Sequence, residues 1–169
     1  MIDSTPKFVA KHVDKDGEHI RVLEVGCLYD GQNLRDLMPS GSEYIGTDMR
    51  EGPNVDLVIN AHDLVEHFGE ESFDLVMCFD TFEHDDKFWV SWENMKAVLK
   101  SGGSMLLGVP GRNCPYHSHP KDYWRFTPDA FEDFFFKDFD NVVIETSPKE
   151  SIDDSRIGDN WTYGKGTKR

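Results

Sequence analysis

"RVLEVGCLYDGQNLRDL", residues 21–37, reads as a short apolar strand that runs through Gly26 into a turn and then a helix. Val22, Leu23 and Val25 suit a strand covered on both faces, and the glycine after them marks a sharp exit from it. A loop that cradles a pyrophosphate needs glycine at three nearby points, G-x-G-x-x-G, because the backbone must come close to the phosphates. Here Leu28 stands at the second of those points, and Tyr29 and Asp30 precede Gly31. The segment therefore suits a ligand without phosphates, or it is a structural turn and nothing more.

The alternation continues outward from this stretch. "HIRVLEVG" (19–26), "EYIGTDM" (43–49), "VDLVIN" (55–60), "SFDLVMCFD" (72–80) and "SMLLGVP" (104–110) read as strands. Helices are expected at 32–38, stopped by Pro39 and Gly41, and at 63–69. A third is expected from Asp85 to Lys100, with Phe88, Trp92, Met95 and Leu99 on one face and Gly102–Gly103 stopping it. Thr127-Pro128 opens another through "DAFEDFFF", in the favoured cap-then-proline order. Residues 5–13 read as a short surface helix. "NVVIETS" (141–147) and "NWTYGKG" (160–166) close the chain as strands with no helix between them, so they should pair antiparallel at one edge. Strands alternating with helices predict an α/β fold with a mostly parallel sheet flanked by helices. Over 169 residues this is a single domain. Its expected parts are an N-terminal helical segment (1–18), a ligand-binding core (19–113), a loop (114–126) and a C-terminal helix with edge strands (127–169).

Composition narrows the partners. With 32 acidic against 18 basic residues the formal net charge is −14. That disfavours a phosphate-backbone partner, which wants a basic face, so no nucleic acid is expected. No apolar run approaches a membrane span and no signal-peptide core is present, so a cytoplasmic chain is expected. Three cysteines (Cys27, Cys78, Cys114) without metal-ligand spacing read as buried free thiols.

In parallel sheets, ligands bind beyond the carboxyl ends of the strands where strand order reverses. The first strand ends at Glu24-Val25-Gly26, and 22 residues after Gly26 the second ends at Asp48, where a carboxylate can accept two hydrogen bonds from a ribose diol. Glu24 would suit an ammonium group. A nicotinamide dinucleotide fits poorly, lacking its glycine pattern and a second nucleotide-binding half.

"VLEVG", "YIGTDM", "FDLVMCFDTFEH" and "LKSGGSMLLGVPG" resemble, in that order, the motifs of class I S-adenosylmethionine-dependent methyltransferases. The closer likeness is to a bacterial and phage-type group with segments like "REGPNVDLVINAHDL" and "HSHPKDYWRFTPDAF", and it covers roughly residues 20–140. The resemblance implies a Rossmann-like sheet and S-adenosylmethionine as cofactor. It places Glu24 and Gly26 near the methionine portion, Cys27 among the cofactor-binding residues, Asp48 at the ribose and Met49 against the adenine. Asn60, Ala61 and His62 would flank the adenine edge, and Phe79 and Asp80 the methionine side. Leu28 and Asn60 depart from the usual glycine and acidic residue.

The loop "CPYHSHPKDYWRFTP" (114–128) should overhang the reacting methyl group. His117, His119 or Asp122 would take a proton from an acceptor hydroxyl, while His84, Tyr123, Trp124 and Arg125 shape the acceptor pocket. Alternatively, Trp124 and Phe126 simply pack the loop on the sheet and Arg125 pairs with an acidic neighbour. Glu83 and His84 either border the site or cap the next helix. His117, His119 and Asp122 could ligate a metal, but with no second cluster none is expected. The expected activity is O-methylation of a small molecule, sugar or glycan. The alternative is a degenerate methyltransferase fold that serves only as a binding module. Oligomeric state is not legible.

Overall fold

Seven strands form one sheet in the computed structural model, which describes residues 4–28, 33–118, 120–147 and 161–169. In chain order they are β1 (Arg21–Val25), β2 (Glu43–Asp48), β3 (Leu57–Val58), β4 (Phe73–Phe79), β5 (Leu99–Pro110), β6 (Phe139–Thr146) and β7 (Trp161–Lys168). Their spatial order is β3-β2-β1-β4-β5-β7-β6. Neighbours among β1 to β5 pair parallel, whereas β7 runs antiparallel to both β5 and β6. The two C-terminal strands thus pair antiparallel at one end of the sheet, with β7 inside and β6 at the edge. Strand order reverses between β1 and β4, which opens a crevice at their carboxyl ends.

β4 is the spine of the core. Val76 and Cys78 face one side, and Leu75, Met77 and Phe79 the other. The first side is covered by α2 (Leu64–Phe68), α3 (Phe88–Val98) and a pile of aromatic rings that includes Phe82, Trp92, Phe131, Phe135 and Phe136. The second side is covered by α1 (Ser4–His12). This helix is less superficial than its polar sequence suggests: Thr5, Phe8 and Val9 are buried. Ser4 and Thr5 also hydrogen-bond the Tyr163 hydroxyl at 2.8 and 3.0 Å.

Several elements depart from the sequence-based expectation. The helix expected at 85–100 ends at Val98, because Leu99 pairs with Phe73 and already belongs to β5. Gly102–Gly103 therefore lie within the strand rather than at the end of a helix. The helix expected at 32–38 is one 3-10 turn (Leu34–Leu37), capped by the Asn33 side chain accepting from the Arg35 amide. The third strand is only two residues long, and a 3-10 turn (Ala61–Asp63) leads into α2. Beyond Thr127, a single turn (α4, Pro128–Ala130) widens into a π-helical turn over Phe131–Phe135, closed by the Phe136 amide on the Phe131 carbonyl at 2.8 Å. Widening lets Phe131, Phe135 and Phe136 all turn inward. The Phe131 and Phe136 rings press on β7 at Gly164, where a Cβ would come within 2.4 Å of Phe136.

Cys27, Cys78 and Cys114 are free and buried. Among the described residues, no helix is long and apolar enough to cross a membrane.

Candidate functional site

A cavity of about 450 Å³ opens at the carboxyl ends of β1, β2 and β4, within the size range of small-molecule sites. Its floor is the exit from β1. Gly26 sits at φ +79°, and its amide donates to the Thr47 carbonyl at 2.8 Å. A Cβ there would lie 1.9 Å from Thr81 Oγ1, so the ends of β1 and β4 meet without room for a side chain.

Asp48, at the end of β2, stands on one wall. Its Oδ1 accepts from the Arg50 amide at 2.9 Å, which fixes the carboxylate, and among the described residues its Oδ2 has no partner. Met49 beside it is 68% exposed and forms part of the rim. Asn60, Ala61 and His62 line the same cavity. Asn60 Oδ1 accepts from the His62 amide at 2.9 Å and so starts the 3-10 turn that presents the other two.

Asp80 lines the opposite side, just past β4 and at φ +52°. Trp161 Nε1 donates to its Oδ1 at 2.5 Å. Burial, reinforced by the Glu83 charge, pushes its carboxyl up to about 6. Thr81, Asp85 and Ser91 are among the lining residues that were not anticipated. Asp85 looked like a helix-opening acid. It is a junction, taking Ser91 Oγ at 2.5 Å and the Lys87 amide at 2.8 Å, with His62 Nε2 at 3.2 Å.

Other expected cofactor residues do not reach the cavity. Side chains alternate along β1, so with Val25 facing the cavity, Glu24 points to the other face of the sheet. There it accepts from the Tyr44 hydroxyl, and burial raises its carboxyl above the ordinary range. The Cys27 thiol turns to the Asn54 carbonyl at 3.2 Å and is pushed up to about 12 by burial. Phe79 packs in the core beside Tyr163. Tyr29 to Gln32 of the first loop lie outside the described residues.

The loop over residues 111–126 is fastened at several points. Its own amides bond to the Glu83 carbonyl (from Tyr123, 2.7 Å) and the Pro110 carbonyl (from Phe126, 3.0 Å). Trp124 Nε1 donates to the Asp85 carbonyl at 2.9 Å. Arg125 is the staple: Nε donates to the Cys114 carbonyl at 3.0 Å, and Nη2 to the Pro115 carbonyl at 2.7 Å and Asp122 Oδ2 at 2.6 Å. Its Nη1 completes a two-pronged pair with Asp122, whose carboxyl is held down at about 2 by that guanidinium. Asp122 Oδ2 also accepts the His117 amide at 2.6 Å.

Of the expected loop residues, Tyr123 lines the cavity, whereas Arg125, Asp122 and His117 do not. His119 lies outside the described residues. His84, from the turn after β4, lines the cavity as well. Glu83 neither borders the cavity nor caps α3: its side chain is fully buried against His84 and His117. The Glu83 carboxylate raises the His117 imidazole above its ordinary value.

Residues 2–149 match the family model described as a methyltransferase domain. The chain belongs to that family. No curated protein matches its sequence. Solved structures share the fold at low identity. A SAM-dependent methyltransferase from Archaeoglobus fulgidus superposes with a TM-score of 0.74 at 17% identity, covering 98% of this chain and 94% of that one. The YcgJ protein of Bacillus subtilis gives 0.73 at 15%, covering 99% of each chain. The Burkholderia thailandensis 1,6-didemethyltoxoflavin-N1-methyltransferase, solved with its substrate and S-adenosylhomocysteine, gives 0.71 at 16%, covering 98% of this chain and 77% of that one. The mostly parallel, Rossmann-like sheet is that of these methyltransferases.

Proposed function

We propose that the protein is an S-adenosylmethionine-dependent methyltransferase acting on an oxygen of a small molecule, sugar or glycan. The observation that carries this reading is the cavity at the β1/β4 switch point with Gly26 on its floor and the Asp48 carboxylate on its wall. The residues present suit this cofactor. Asp48, Asp80, Asp85 and Asp86 outnumber the single guanidinium of Arg50 along the lining, which favours a cation over a phosphate chain. When bound, S-adenosylmethionine supplies a methyl group activated on a sulfonium.

The chain's own residues then divide the work. Asp48 would accept from the ribose diol, since its Oδ1 already holds the Arg50 amide and no described residue bonds its Oδ2. Met49, Asn60, Ala61 and His62 would enclose the adenine. Gly26 lets the backbone approach the methionine portion, with Asp80 opposite. His84 and Tyr123 border the acceptor end, and the stapled loop keeps water out and holds the acceptor in line, where positioning supplies much of the rate. Buried free thiols support a reducing, cytoplasmic setting.

Calorimetric titration with S-adenosylhomocysteine and with NAD tests the cofactor. Heat with the first and none with the second is expected, and the reverse would overturn the reading. Transfer of labelled methyl groups to a panel of sugars and small hydroxyl compounds tests the acceptor. Transfer to amines but to no hydroxyl would refute the choice of oxygen.

A further inference from the structure

Glu83, His84 and His117 converge as a cluster beside the cavity, an arrangement that methyl transfer alone does not require. Glu83 is fully buried, and among the described residues no hydrogen-bond donor reaches either of its carboxylate oxygens. A buried carboxylate without a hydrogen-bond donor is costly, and a native structure that keeps one should be explained. Its Oε1 is 3.6 Å from His84 Nε2 and 3.6 Å from His117 Nε2, too long for hydrogen bonds.

Both imidazoles are held from behind. His84 Nδ1 is bonded to the Lys121 carbonyl, and His117 Nδ1 to the Pro115 carbonyl at 3.1 Å. A carbonyl only accepts, so each Nδ1 carries a proton; Nε2 then offers a lone pair to a metal ion, which would displace any second proton that Glu83 favours on His117. The rings stand edge to face with centroids 5.3 Å apart. Both Nε2 atoms thus converge on one carboxylate, and all three ligand atoms lie within 4.8 Å of one another. Two bonds of about 2.1 Å at a tetrahedral angle span about 3.4 Å, close to the observed 3.6 Å spacings. Backbone carbonyls behind metal-ligating histidines are the usual means of fixing the tautomer.

We propose that Glu83, His84 and His117 bind a divalent transition-metal ion of the zinc, cobalt or manganese class. Two imidazoles and one carboxylate leave at least one coordination position to an outside ligand. His84 lines the cavity, so that position lies at its acceptor end. An acceptor hydroxyl bound there would release its proton to solvent more readily. That role rests on the methyl-transfer reading, but the binding of the ion does not.

The test needs neither cofactor nor acceptor. The folded chain is stripped with a chelator, dialysed against zinc, cobalt or manganese, and analysed for metal per chain. One equivalent of at least one of these ions is expected, with nitrogen and oxygen ligation in the cobalt absorption spectrum. Glu83→Gln and His117→Asn, checked for folding by circular dichroism, should each weaken binding by about tenfold or more. Failure of the wild-type chain to take up any of the three ions would overturn the proposal. Retention of wild-type affinity by both folded variants would also overturn it, as would a cobalt–thiolate band implicating Cys114. A chain that binds metal but transfers no methyl group would refute the functional reading and leave the metal site standing.

Discussion

Replacing Gly26 with alanine probes the floor of the cavity directly. The residue sits at φ +79°, a conformation that costs a non-glycine residue about 1–2 kcal/mol. The new Cβ would also lie 1.9 Å from Thr81 Oγ1 and 2.9 Å from Thr81 Cβ and Cγ2. Thr81 cannot step aside cheaply, because its hydroxyl is bonded to the Phe79 carbonyl at 2.9 Å. Overpacking of this kind costs about 1–3 kcal/mol. The two terms together come to about 2–5 kcal/mol, or a fall in Tm of about 4–20 °C for a domain of this size. Differential scanning calorimetry of Gly26→Ala, Thr81→Ala and the double variant forms a cycle that isolates the clash. The double variant should be more stable than the sum of the two single changes implies, because the Oγ1 and Cγ2 contacts are gone, but it should retain the backbone strain. An unchanged Tm in Gly26→Ala, or strict additivity in the cycle, would refute the argument that Thr81 dictates this glycine.

Asp48→Ala should weaken S-adenosylhomocysteine binding about tenfold or more, since a charge-assisted hydrogen bond is worth about 1.5–3 kcal/mol. Asp48→Asn, which keeps an acceptor for the Arg50 amide, should fall between it and the wild type in the same titration, and equal affinities would remove Asp48 from the site. Arg125→Lys should loosen the loop, because an ammonium cannot reproduce the two-pronged contact with Asp122 and the bonds to two carbonyls. Chymotryptic cleavage at Tyr116 or Tyr123 should accelerate by about tenfold, from the loss of about 1.5–3 kcal/mol of charged hydrogen bonding, with little change in global Tm. Asp74 ties three strands together through Lys100 Nζ at 2.7 Å and the Arg21 amide at 2.8 Å. Partial burial works against its ionisation, yet those two contacts win and hold its carboxyl below the ordinary range. Its stabilising effect is therefore present at neutral pH and lost as pH falls through the folded-state value. Asp74→Asn should be less stable at pH 7 by about 0.5–1 kcal/mol and should converge on the wild type in strong acid, as followed by urea unfolding across pH.

The sheet was legible because its strands carry continuous apolar runs, of which "FDLVMCF" is the clearest. Asp48 was legible for a similar reason: it stands where a strand of that kind must end. Glu24 shows where such reading stops. Its proximity to Gly26 along the chain suggested a common site, but successive strand residues face opposite sides, and the pairing with Tyr44 is invisible without β2 alongside. The end of α3 was misplaced because Leu99 satisfies the helical apolar spacing as well as it satisfies pairing with Phe73, and only tertiary contact decides. The π-helical turn at 131–135 likewise follows from an aromatic pile assembled from distant parts of the chain. The Glu83–His84–His117 cluster joins residues 33 positions apart through a loop crossing, for which one-dimensional spacing carries no signal.

The loop's side chains bear on how the acceptor would be activated. Asp122, an obvious proton acceptor by residue type, is a poor one in place: Arg125 holds its carboxyl at about 2, and it also receives the His117 amide. Asp85 is engaged by Ser91, Lys87 and His62. Asp80, which accepts from Trp161 Nε1, has its carboxyl raised to about 6, and Glu83 lies buried beside the two imidazoles. Asp80 faces the cavity directly, whereas Glu83 reaches it only through His84. If the acceptor is a hydroxyl, as proposed, its activation has two structurally distinct routes: proton transfer to a side chain at the cavity wall, or polarisation through the buried Glu83–His84–His117 cluster. The stripped and metal-loaded chains separate them, since the first route leaves methyl transfer independent of added metal and the second makes the two rise together.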